Sequence, residues 1–122
     1  MKKIAFMLVC STFLLSCYYD KADVINPNAA FVSCDTTTIS YAKDIAPIML
    51  QSCNSCHAGS ASNGGGIVLD SYSTLKIYGQ NKQLYSAVVQ DGVFPKMPQG
   101  AAKLIDCDIN KIGAWINQNY RP

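Results

Sequence analysis

The chain has 122 residues, 49% of them hydrophobic and 15% charged, which suffices for one small domain and excludes a second core. It carries 10 Lys and Arg against 8 Asp and no Glu, and two of those lysines, Lys2 and Lys3, belong to the leader described next. What remains is formally neutral and gives no support for nucleic-acid binding, which needs clustered positive charge.

Lys2 and Lys3 precede an apolar run from Ile4 to Leu15, the layout of a bacterial export signal, and the run is too short to span a bilayer. It ends in Leu14-Leu15-Ser16-Cys17, which resembles a lipoprotein signal, although Leu15 departs from the small residue usual at that place. Residues 1–16 are therefore expected to be removed and Cys17 to become a lipidated N-terminus, the alternative being an ordinary cleaved secretory peptide; either exports the domain. Residues 17–33 hold the Asn26-Pro27-Asn28 turn signal and no sustained period, and read as a tether between lipid and domain. Residues 34–122 are the domain.

A first helix is expected from about Asp44, as N-cap, to Cys53, with Pro47 in its first turn and Ile45, Ile48 and Met49 on one face. After His57 comes a loop with Gly64, Gly65 and Gly66, which lacks the Lys-Ser/Thr of a phosphate-binding loop. Short helices follow at about 71–77 and 82–89, punctuated by Gly79 and Gly92. The last helix starts at Asp106 as N-cap, ends near Asn119 and carries Ile105, Ile109, Ile112 and Ile116 on one face. Gly113 within it costs about 1 kcal/mol relative to alanine unless a closely crossing helix needs the space, and the first helix is the expected neighbour. No strand alternation is evident, so the fold class is all-α.

Cys53-Asn54-Ser55-Cys56-His57 is a C-x-x-C-H motif, the signature of covalent haem attachment. Two cysteines three apart reach the two vinyl groups on one porphyrin edge, and the adjacent histidine supplies the proximal iron ligand. Three rival readings use the same residues. Thioredoxin-like redox chemistry needs a strand before the motif, where a helix is expected. Zinc held by Cys34, Cys53, Cys56 and Cys107 lacks a second closely spaced pair. A Cys53 to Cys56 disulfide closes a small strained ring and leaves His57 without a role.

His57 is the only histidine, so two-histidine ligation within one molecule is excluded. Met1 and Met7 lie in the leader, and Met49 sits one turn before Cys53 and packs in the core. Met97 remains as the distal ligand, in Phe94-Pro95-Lys96-Met97-Pro98, where two prolines hold the chain away from helix.

From Tyr41 to Asn119 the chain resembles a class I mono-haem cytochrome c, by the helix into Cys53, Cys56 and His57, by Met97-Pro98, and by Ile109-x-x-Ile112-x-x-Trp115-Ile116. The resemblance implies first and last helices crossing beside one haem c, with Trp115 at a haem edge. It implies electron transfer between a redox-protein donor and acceptor, with the protein a monomer or part of a respiratory complex. The location is the bacterial cell envelope, lipid-anchored and facing the periplasm or the exterior. No catalytic residues are expected, since the chain shows no triad, carboxylate pair or distal acid and base. The alternatives are a haem enzyme or gas sensor in which Met97 dissociates, and the haem-bearing subunit of a larger dehydrogenase or oxidase. Cys34 and Cys107 are then the two cysteines left over, and in an oxidising compartment they are expected to pair.

Overall fold

The structure is a computed structural model that describes residues 33–122. The leader at 1–16, lipidation at Cys17 and nearly all of the tether at 17–33 lie outside the described residues. Among the described residues every regular element is helical and no strand forms, in keeping with the all-α expectation.

Helical structure begins earlier than Asp44. Ser40 is the N-cap, its hydroxyl accepting from the Lys43 amide at 3.3 Å, and Asp44 reaches back so that its carboxylate accepts from the Ser40 amide at 3.0 Å. This is a reciprocal capping arrangement that uses Asp44 as the returning partner and not as the cap. The first turn, Tyr41–Ile45, is π-helical and runs directly into α1, Ala46–Ser52. Pro47 accounts for the widened turn: it has no N–H to give the carbonyl four residues back, and its ring crowds that carbonyl. The proline therefore sits inside a helical stretch that opens just before it. Cys53 then caps a single turn, α2, Asn54–His57.

One 3-10 turn, Ser62–Gly64, interrupts the loop after His57. Ser71 caps α3, Tyr72–Gln80, by accepting from the Thr74 amide, and α4 is Gln83–Val89. Gly79 does not end α3 as expected but lies within it, buried, where a Cβ would stand 2.7 Å from the Tyr120 ring. The glycine is there for close approach and not for punctuation.

The last helix, α5, is Asp106–Asn117. Ile105 precedes it as an N-cap without a side-chain bond, so Asp106 opens the helix and, with Asp108, places negative charge in the first turn. Its buried stripe is Ile109, Ile112 and Trp115; Ile105, expected on that face, is 67% exposed. This stripe packs on the Tyr41–Ile45 turn and on α4. Gly113 meets α4 and not the first helix: a Cβ there would stand 3.0 Å from the ring of Tyr85. The core joins the stripe to Ile39, Ile45, Ile48, Met49, Leu75, Leu84 and Val88. Burial of each such aliphatic side chain contributes about 1.5–3 kcal/mol.

The two ends of the domain are stitched together. Gln118 accepts from the Ile39 amide at 3.0 Å and donates to the Thr36 carbonyl at 2.8 Å, while the Tyr41 amide donates to the Arg121 carbonyl at 2.8 Å. Cys34 and Cys107 form a disulfide with Cα atoms 5.4 Å apart, the pairing expected from the cysteine count.

Candidate haem-attachment site

The backbone turn of α2 brings three chemical groups onto one short element. The amides of Cys56 and His57 both donate to the Cys53 carbonyl, at 3.1 and 3.0 Å, so the motif is wound into a single turn. Cys53 is half-buried, Cys56 is exposed, and both are free thiols. The disulfide reading of this pair is therefore not what the structure adopts. Burial pushes the Cys53 thiol up to about 11, so at neutral pH it is held protonated. Thiol exchange runs through the thiolate, and this environment does not favour one. Zinc loses its ligand set in another way, because the Cys34 and Cys107 sulfurs are bonded to each other. Among the described residues no group of three or more His, Cys, Asp or Glu side chains converges on a common point.

His57 is 8% exposed, and its ring is fixed by a hydrogen bond of 2.9 Å between Nδ1 and the Ile67 carbonyl. A carbonyl only accepts, so Nδ1 carries a proton, and in the neutral ring the lone pair lies on Nε2. Among the described residues Nε2 has no hydrogen-bond partner. A carbonyl on one ring nitrogen and a free lone pair on the other is how ligating histidines are oriented. The donor set is one that would suit a haem: two unpaired cysteines and a histidine whose neutral ring, held through Nδ1, would offer Nε2.

The loop after the motif produces this orientation. The Leu69 amide donates to the His57 carbonyl at 2.8 Å, and Asp70 accepts from the Gly59 amide at 2.8 Å, which folds the loop back over α2. Gly64 lies at the tightest point. A Cβ on it would stand 2.5 Å from His57 Nδ1 and 2.5 Å from the Cys56 carbonyl oxygen. In sequence Gly64 was one of three glycines in an unassigned loop; only the fold shows that it must lack a side chain. Gly64→Ala is expected to displace the imidazole or the loop and to cost about 1–3 kcal/mol, as overpacking does. A lowered urea midpoint would record it, and an unchanged midpoint would show that the loop yields freely.

Met97 lies partly buried in the irregular segment between α4 and α5. Its amide donates to the Ala87 carbonyl at 2.9 Å, and its own carbonyl accepts from Gln90 Nε2 at 3.1 Å. Met49, 1% exposed, is part of the core. A pocket of about 350 Å³ beside α1 is lined by residues that include Ala46, Pro47, Met49 and Leu50, but by none of Cys53, Cys56, His57 or Met97.

Trp115, placed at a haem edge by the resemblance, is fully buried, and tyrosines surround it. Its ring centroid is 6.1 Å from Tyr41, 6.3 Å from Tyr72 and 5.1 Å from Tyr120, and Nε1 donates to the Arg121 carbonyl at 2.8 Å. Lys76 lies over the rings of Tyr72 and Tyr120, 5.8 and 5.7 Å from their centroids. The cluster was not evident from sequence, because its members come from three separated segments. It ties the chain end to α3 and α5, with the Tyr72 hydroxyl donating to the Tyr120 carbonyl at 2.7 Å.

Comparison with protein-family models, with curated proteins and with solved structures found no match to this chain.

Proposed function

We propose that the domain is a mono-haem c-type cytochrome with a class I cytochrome c fold, carrying single electrons in the bacterial cell envelope from a lipid anchor at Cys17. The observation that carries this reading is His57: a single buried histidine, held through Nδ1 by the Ile67 carbonyl, with Nε2 unengaged, on the same helical turn as two free cysteines. Cys53 and Cys56 are the residues that would bear the thioether links, His57 the proximal ligand and Met97 the distal one. Haem bound in this way supplies a one-electron ferrous/ferric couple whose potential is raised by a methionine ligand.

The protein's own residues contribute rigidity. The Ile67 carbonyl and the Leu69 amide grip His57 from both its ring and its backbone, and the last turn of α4 grips Met97 through its amide and carbonyl. A carrier benefits from ligands that do not move between oxidation states. The haem enzyme and gas-sensor readings require instead that Met97 leave readily. No helix among the described residues is long and apolar enough to cross a membrane.

Exposure of the reduced holoprotein to carbon monoxide, and of the oxidised form to cyanide, separates these readings. A carrier is expected to keep its spectrum at concentrations that convert an open haem completely. Rapid conversion, with peroxide turnover, would replace this function with the enzymatic one.

A further inference from the structure

The peptide groups on both sides of Met97 are tied to the end of α4, and one of the two ties is a side chain. Gln90 follows the last residue of α4 with φ at 63°, in the left-handed region, and its amide closes the helix on the Ser86 carbonyl at 2.9 Å. That position usually holds glycine, and a residue with a Cβ pays about 1 kcal/mol or more to occupy it. Gln90 keeps the strain and spends its side chain on Met97, Nε2 donating to the Met97 carbonyl at 3.1 Å. The stretch between them is not slack. Asp91 accepts from the buried Ser86 hydroxyl and from the Val93 amide, contacts that hold its carboxyl below the usual carboxylate range. The Ser86 hydroxyl is satisfied only through this turn, so the loop leaves α4 from a fixed base.

We propose that Gln90 is the positioning residue for Met97, its side-chain amide holding the Met97 loop against α4 so that the thioether stays engaged; this rests on reading Met97 as the distal ligand. A donor of this length is required. Glutamate matches the shape but presents an acceptor to an acceptor, and glycine supplies a relaxed backbone with no side chain.

The test uses the full holoprotein as wild type, Gln90→Glu, Gln90→Gly and Met97→Ala, with imidazole as the probe, because imidazole reaches a ferric iron only after the methionine leaves. Loss of one hydrogen bond of this kind is expected to speed imidazole binding about fivefold to tenfold in both Gln90 variants, with a weaker sulfur-to-iron charge-transfer band. Gln90→Gly should do so with an unfolding temperature equal to or above wild type, since it relieves the left-handed strain. A purely structural role would couple faster binding to lower stability. If the wild-type band is present and abolished by Met97→Ala, yet both Gln90 variants bind imidazole at the wild-type rate, the positioning role is wrong and the ligand assignment stands. A rise confined to Gln90→Glu also overturns it, because charge would then be the cause. A wild-type protein without the band overturns the ligand assignment, and the positioning role with it.

Discussion

Met97→Ala is expected to abolish the long-wavelength sulfur-to-iron band of the oxidised holoprotein, to admit carbon monoxide to the reduced form, and to lower the reduction potential. The fall should be on the order of a tenth of a volt or more, since axial ligands move haem potentials over a range of about 0.8 V. The expectation is sharp because the described residues offer few substitutes. His57 is the only histidine in the chain, and Met49 is packed in the core at 1% exposure on the buried face of α1. Lysine would have to lose its proton before it could bind. A band that survives Met97→Ala would show that the sulfur comes from elsewhere, and the distal assignment would fall with it.

The Cys34 to Cys107 disulfide carries the second large effect. It closes a loop with a sequence separation of 73, for which chain entropy gives roughly 4 kcal/mol. The double variant Cys34→Ser with Cys107→Ser keeps the Gln118 clamp on Thr36 and Ile39 and the Asp44 to Lys111 pair at 4.0 Å. Those contacts are non-covalent and do not restrict the unfolded chain, and the ion pair is partly exposed and worth little. The unfolding temperature is therefore expected to drop by about 10 °C or more, the scale for a loss of 2–4 kcal/mol in a domain this size. A native protein that takes up alkylating agent on both cysteines, or a double variant with unaltered melting, would remove the disulfide from the account.

What could be read from sequence was chemistry at fixed spacing. Cys53, Cys56 and His57 occupy one turn because a three-residue step does so in any helix, and the apolar positions of α5 at 109, 112 and 115 follow from its period. What could not be read depended on distant neighbours. Asp44 resembles a cap, and only the widened turn before Pro47 lets Ser40 take that role while Asp44 reaches back to it. Gly113 signalled a close approach correctly, but the partner is Tyr85 and not the first helix. Ile105 matches the spacing of the buried face but precedes the helix, where extended backbone turns it outward. Gly64, Gln90 and the tyrosines around Trp115 carry no local pattern. Each is defined by a contact with a segment several to many residues away.

The proposed function requires that Cys53 and Cys56 bear one haem ligated by His57. The most direct measurement is the pyridine haemochrome spectrum of protein made with a c-type haem attachment system, paired with its intact mass under denaturing conditions. The expected result is the spectrum of a haem with both vinyl groups saturated, and a mass increase of one haem that is lost in Cys53→Ala with Cys56→Ala. A denatured wild-type chain with the mass of polypeptide alone and two alkylatable thiols at Cys53 and Cys56 would contradict it.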